Sequence, residues 1–321
     1  NRNKLKKLRM LHIIRGSHID FLKWAKPAFV ASWLLILVGI GYGISRGSSV
    51  MGVDFAGGDL VTMNYAQKVP VKKIRAALDE AKIGEATISY QESALDNHRS
   101  LQVTTAFGTG EKSRDTLLAK FPEAKFAPQA VDKVGPVVGA QILKSAIISG
   151  LLALFGILVY VAMRYEFSFA VGAVIAILHD VLMTMGWFFL TGRQLNAPIV
   201  AAILTIIGFS INDTIVIFDR IREDLKLGIK GRFKEIINRA LNQTLSRTII
   251  TSGTVFLSTL SLYLFGGSVI NDFAFTFLVG ILTGTYSSIY IASALVLWWH
   301  RGERPKAASQ VVMDNTVAAR A

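Results

Sequence analysis

The chain reads as an α-helical membrane protein: six transmembrane helices, with an α+β ferredoxin-like (βαββαβ) extracytoplasmic domain between helices 1 and 2. Three observations predict this. Of the 321 residues, 52% are hydrophobic and only 18% charged, and the mean hydropathy is +0.45, too apolar for an ordinary water-soluble domain. Six stretches can cross a hydrocarbon core of about 30 Å, which takes roughly 20 helical residues. Between the first two, the apolar period alternates between that of strands and that of helices.

Residues 1–26 form a basic N-terminus with Arg2, Lys4, Lys6, Lys7, Arg9, Arg15, Lys23 and Lys26. The first span, Pro27–Ile44 within segment 27–46, is too long for the apolar region of a secretory signal. The following "GYGISRGSS" is also a poor cleavage site. A retained anchor is expected.

Residues 47–140 are polar enough to stand in water. "DLVTMNY" alternates as a strand does, and "VPVKKIRAALDEAKI" puts Val71, Ile74, Ala77, Leu78 and Ala81 on one helical face, with Pro70 acceptable in the first turn. "EATISYQ" and "SLQVTTAF" read as strands joined by a turn at "ESALDNHR", "EKSRDTLLAKF" as a second helix and "KFAPQAVDKV" as a last short strand. This order is the split βαβ unit, with helices over one face of an antiparallel sheet. The same fold serves RNA-binding modules, but "HRSLQVTTAF" lacks their basic and aromatic stacking pattern, so no nucleic acid is expected.

The other spans are Ser145–Met163, Phe167–Leu190, Ala197–Phe218, Thr248–Phe265 and Phe273–Trp299, a five-helix domain over 141–300 followed by a tail, 301–321. Segment 219–247 carries Arg220, Arg222, Lys226, Lys230, Arg232, Lys234, Arg239 and Arg247, whereas Thr191–Ala197 has only Arg193 and Gly266–Asp272 has no base. By the positive-inside rule, 219–247 is a cytoplasmic loop and both termini are cytoplasmic. The net charge of +13 thus serves topology in the lipid bilayer. No cysteine is present, so disulfides, thiolate metal sites and thiol nucleophiles are excluded. No GxxxxGK[ST] phosphate loop occurs, and no cofactor or metal is expected.

The chemistry centres on acids inside apolar helices. Asp213, in "GFSINDTIVIFDRI", lies roughly 22 Å along its helix from the Ala197 end. An ionised carboxylate there costs several kcal/mol without a partner, and Arg247 in "LSRTIITSGT" is the expected one. Asp180 follows His179 in "AVIAILHDVLM", at a depth about 10 Å from that of Asp213 by residue count. Two acids at different depths resemble steps of a proton or cation path. A static Asp213–Arg247 pair that fixes helix register is the plainer alternative. His179 reads first as a hydrogen-bonded bundle residue, Asn212 as an interhelical amide, and Gly280 with Gly284 as a close-packing GxxxG pair.

Four motifs, "GVDFAGG" (52–58), "VGPVVG" (134–139), "GFSINDTIVIFDRIRE" (208–223) and "TLSRTIITSGT" (244–254), come in order along nearly the whole chain. Together they resemble the SecF family of the bacterial SecD–SecF protein-export complex, in the resistance-nodulation-division superfamily. The resemblance implies a non-enzymatic, multi-pass protein of the bacterial inner membrane, partnered by SecD and the SecYEG channel, with YajC and YidC as further candidates. It implies use of the proton-motive force, or of Na⁺, to draw unfolded preprotein outward. The ion-pathway residues it implies are Asp213, Arg247 and Asp180, supported by Asn212, His179 and Thr248. A hinge motif falls at Gly52, Asp54, Phe55, Gly57 and Gly58. Phe209 replaces a usual tyrosine, and Ala56 and Asp59 replace usual threonines. The alternatives are a small-molecule exporter, whose outer loops are larger and occur in both halves, an intramembrane aspartyl protease, which the unequal depths disfavour, and a structural scaffold for SecD.

Overall fold

In the computed structural model, residues 19–84, 86–92 and 99–305 are described. The basic cluster Arg2–Arg15, the Asp-Asn turn at 96–97 and the tail from 306 lie outside the described residues. Among the described residues, six helices are long and apolar enough to cross a membrane: α1 (Ala25–Ser45), α5 (Pro136–Arg164), α6 (Phe167–Leu190), α7 (Ala197–Lys226), α8 (Phe233–Phe265), and a last one made of α9 (Gly267–Ser287), a π-helical turn (Ser288–Ala292) and α10 (Ser293–Trp299). α6 and the last helix are mostly buried, whereas α5 and α8 are largely exposed.

The stretch expected as a cytoplasmic loop, 219–247, is almost all helix. α7 continues to Lys226 and α8 begins at Phe233, leaving 227–232 as the turn. The cause is amphipathicity: Ile221, Leu225, Ile236, Ile237, Ala240 and Leu241 recur at helical spacing and join the bundle core. Asp224, fully buried, ties the two extensions between Arg220 and Arg239, at 3.2 and 3.7 Å.

Between α1 and α5, the short turn α2 (Val53–Ala56) leads into β1 (Gly58–Asn64), α3 (Val71–Glu80), β2 (Thr87–Glu92), β3 (Arg99–Thr105), α4 (Gly110–Lys120) and β4 (Ala127–Val134). The antiparallel sheet has the order β2-β3-β1-β4, the ferredoxin-like arrangement. Val61, Met63, Leu101 and Val103 point from one sheet face into a core with Ile74 and Leu78 of α3 and Leu117 of α4. Val71, on the expected inner face, stays exposed at the first residue of α3. Asp59 is buried, and its Oδ2 accepts from the amide of Gly110 at 2.7 Å, satisfying a free donor at the start of α4.

"GVDFAGG" mounts this domain on the bundle. Gly57 and Gly58 have φ of +76° and +133°, conformations open to glycine, and a Cβ on Gly57 would stand 2.7 Å from Pro136 Cα. Gly52 donates its amide to the Leu195 carbonyl at 2.7 Å, and Leu195 donates back to Val50 at 2.8 Å. Phe55 is buried, and Asp54 Oδ2 accepts from the amide of Ala197 at 2.7 Å, capping α7 from a distance. The segment read as a hinge is thus bonded to the α6–α7 connection and to the start of α7. Free backbone groups at those ends supply the grip.

Candidate functional site

Asp180 is fully buried where α6, α7 and α9 meet. Its Oδ2 accepts hydrogen bonds from Ser210 Oγ at 2.6 Å and Ser287 Oγ at 2.7 Å. Its Oδ1 lies 3.2 Å from His179 Nδ1. The contact that brings Ser210 close depends on small residues. A Cβ on Gly280 would meet the Ile206 side chain at 2.3 Å, and one on Gly284 would meet Ser210 Cβ at 3.2 Å, the close approach expected of the GxxxG pair. His179 is enclosed by the rings of Trp33 and Tyr286, with centroids 5.8 and 6.1 Å away.

Asp213, also buried, sits between α7 and α8 with one hydrogen-bond donor, Ser252 Oγ at 3.1 Å. Ser252 in turn accepts from Thr285 Oγ1 of α9 at 3.0 Å. The expected Asp213–Arg247 contact is corrected here: among the described residues no ion pair joins them, and Arg247 is exposed, although near enough to act on Asp213 electrostatically. Helix phase explains it. The buried stripe of α8 runs through Ala240, Thr244, Thr248 and Ser252, so Thr248 faces inward and Arg247 points about 100° away. Asn212, expected between helices, is exposed beside Asp213 on the outer side of α7 for the same reason, and no hydrogen bond engages it among the described residues.

The depths also need correction. Ser210, a partner of Asp180, is three residues before Asp213 on α7, a rise of about 4.5 Å rather than about 10 Å. Counting from helix ends assumed equal starting planes and perpendicular helices. No hydrogen bond joins the two carboxylates among the described residues, whereas the proton-sharing dyad of an aspartyl protease requires contact.

Helix α9 supplies hydroxyls to both acids, from opposite sides of the helix, and among the described residues no hydrogen bond joins the two sets. Thr285 and Ser287 of α9, about 3 Å apart along the axis, lead to Asp213 and Asp180 respectively. Ser288 opens the π-helical turn and lies 3.2 Å from Thr214 of α7. Such turns interrupt α-helices most often at functional sites. Sequence reasoning missed Ser210, Ser252, Thr285, Ser287 and Ser288. Only Ser210 had a local signal, three residues before Asp213 on the same face of α7; the others lie on α8, on α9 and in the π-helical turn, and meet the acids only through helix packing.

At the end of the bundle that bears the α/β domain, Arg193 pairs with Asp272, donates to Asn271 Oδ1 at 2.9 Å and stacks over Phe275. Arg46 of α1 donates to the carbonyls of Phe189, Gly192 and Arg193 at 3.2, 2.9 and 3.0 Å. A guanidinium there matches the negative end of the α6 dipole.

Comparison with known proteins agrees with this architecture. Residues 115–302 match the family model for "Protein export membrane protein SecD/SecF, C-terminal". The chain is 43% identical over 293 residues to the protein translocase subunit SecF of Calditerrivibrio nitroreducens, covering 89% of this chain and 96% of that one. It is 37% identical over 293 residues to the protein translocase subunit SecDF of Thermus thermophilus, spanning 91% of this chain but 40% of that longer one. The crystal structure of SecDF from that organism, described as a translocon-associated membrane protein, superposes with a TM-score of 0.80 at 37% identity, over 89% of this chain and 39% of that one. A SecDF structure in a super-membrane-facing form gives 0.65, over 91% and 40%. With its six spans, its ferredoxin-like domain and its buried acids in place, the chain belongs to the SecD/SecF family of protein-export membrane proteins.

Proposed function

We propose that this chain pairs with SecD in the bacterial inner membrane, both termini in the cytoplasm, and uses the proton-motive force to complete Sec-dependent export of preprotein. The observation that carries the reading is the place of Asp213. Among the described residues it is buried with a single hydroxyl donor, beside a seam of α7 and α8 on which Asn212 and Arg247 are exposed. An arginine and an amide facing hydrocarbon are costly, so a second subunit covering that face is favoured. The length of the Thermus relative, in which this chain matches 40% of a SecDF polypeptide, supports SecD as that subunit.

Protonation of Asp213 from the outer side removes a charge from the α7–α8 junction and weakens its attraction to Arg247, allowing the two halves to shift. Release of the proton to the cytoplasm resets them. One proton crossing the membrane potential supplies about 2.3 kcal/mol per 100 mV, enough to bias an equilibrium of a few kcal/mol. The shift reaches the outer domain through α7, whose first amide is held by Asp54 of the mounting segment. SecYEG delivers the polypeptide in this scheme.

The test is preprotein export in cells whose sole copy carries Asp213→Asn, with membrane levels of this chain and SecD checked alongside. Export is expected to fall at least about tenfold, the equivalent of about 1.4 kcal/mol, with both proteins present. Unchanged export would sink the reading and leave a scaffold role.

A further inference from the structure

A cleft of about 570 Å³, its lining polar and apolar in nearly equal measure, lies between the helix-free face of the sheet and the membrane bundle. Strand alternation makes its roof: Val61, Leu101 and Val103 turn to the helices, and Thr62, Gln102 and Thr104 therefore turn into the cleft. Ser89 and Gln91 of β2 extend it, and Gln194, Asn196 and Asn271 form its floor.

We propose that this cleft holds a short, extended stretch of unfolded polypeptide by its backbone, whatever its sequence. The proposal rests on the export reading given above. Three features favour such an occupant. The walls present amides and hydroxyls, which complement the alternating N–H and C=O groups of an extended chain. The charges on the walls are largely spent, since Arg193 pairs with Asp272 and Asp54 holds the Ala197 amide, leaving Asp132 among the described residues. Lastly, the side-chain carbonyls of Gln91 and Asn196, residues of these walls, are buried without a hydrogen-bond partner, acceptors that a turn of the amide would bring to incoming backbone N–H groups.

Two bonds that the cleft's side chains already make, one from sheet to floor and one within the roof, are weak enough to exchange. Thr104 Oγ1 reaches Gln194 Oε1 at 3.3 Å, joining sheet to floor, and Gln91 Nε2 reaches Gln102 Oε1 at 3.3 Å. The volume falls within the roughly 300–1,000 Å³ typical of ligand pockets, which admits an extended segment and excludes a folded domain. Asn196 directly precedes α7, so a shift of the helix that carries Asp213 also reshapes the floor.

The absence of native cysteine makes the test direct. Single-cysteine chains carrying Gln102→Cys or Ser89→Cys in the cleft, or Lys112→Cys on the exposed side of α4, are assembled with SecD. Two preproteins of unrelated sequence, each with one cysteine and arrested in transit by a folded C-terminal domain, serve as probes with a short bismaleimide. Both preproteins are expected to cross-link several-fold more to the cleft variants than to Lys112→Cys. Cross-linking of only one preprotein overturns sequence-independent binding. Equal or absent cross-linking at both cleft positions overturns the proposal, as does a SecD cross-link there indifferent to arrested preprotein, even where Asp213→Asn still blocks export. Cleft cross-links together with normal export by Asp213→Asn would instead retain the cleft and remove the ion-coupling reading.

Discussion

Asp180 and Asp213 are both buried acids on apolar helices, yet one is enclosed and the other sits at an open seam. Asp180 has Ser210, Ser287 and His179 around it on α7, α9 and α6. Asp213 has Ser252, and beyond it a face where Arg247 and Asn212 are exposed. The Asp180 carboxylate has several donors, although the buried His179 Nε2 has no hydrogen-bond partner among the described residues; a polar network with more bonds in a low dielectric holds one geometry more firmly, whereas a sparse one can change partners at small cost. The difference suits Asp180 to locking α6, α7 and α9 together and Asp213 to answering a charge or a subunit at the seam.

The strongest way to break this comparison is at Arg247. Arg247→Ala is expected to reduce export by at least about tenfold, as for a loss of about 1.4 kcal/mol, with Arg247→Lys retaining part, since it keeps the charge but not the planar fork. If Arg247→Ala exports normally in the assay used for Asp213→Asn, the seam has no electrostatic role. Next comes the enclosed acid. The double change Ser210→Ala with Ser287→Ala leaves Asp180 Oδ2 without donors and should cost about 1–3 kcal/mol, read as a lower unfolding temperature of the purified chain in detergent. Ser252→Ala removes one donor rather than two and should lower the unfolding temperature less, but reduce export more; the reverse order would invert the roles assigned to the two acids.

A smaller effect is expected at the mount. Asp54→Ala removes the cap on α7, worth about 1 kcal/mol, and faster amide hydrogen exchange in the first turn of α7 would show it. The smallest concerns the exposed Glu111–Lys133 pair at 2.8 Å on the outer domain, far from either acid. The Lys133 hydrogen bond, then its charge, holds the Glu111 carboxyl below its ordinary value. A depressed acid stabilises the fold above its unfolded pKa, about 4.3, and that contribution is lost as pH falls through the folded value. Lys133→Ala should therefore move the Glu111 carboxyl titration upward by NMR and change stability only slightly, at neutral pH rather than at strongly acidic pH.

How much was legible varies with the range of the interaction. The βαββαβ order followed from alternation in "DLVTMNY" and "SLQVTTAF" and from the helical period around Ile74 and Leu78, because burial of a sheet or helix face writes itself into local spacing. Asp213 and Asp180 stood out because a carboxylate in an apolar run is costly wherever it sits. The neighbours did not. Arg247 was matched to Asp213 on charge and sequence position, but a one-residue step turns a side chain by about 100°, and the step from Arg247 to Thr248 separates the exposed face from the buried one. The helical extensions past Phe218 and before Thr248 were obscured by their charges, although Ile221, Ile237 and Leu241 carried the apolar stripe.

Sequence alone determined the span count, the order of the outer domain's elements, the lack of thiol chemistry and the two acids worth testing. Each depends on composition or on a period of a few residues. Only the tertiary structure decided that Ser210, a partner of Asp180, lies within a helical turn of Asp213, that α9 supplies hydroxyls to both acids, that Arg247 and Asn212 face outward, and that the sheet's polar side closes over a cleft. Those outcomes depend on helix phase, tilt and close approach at Gly280 and Gly284, which are set by how helices pack against one another, a property that no single helix's residues encode.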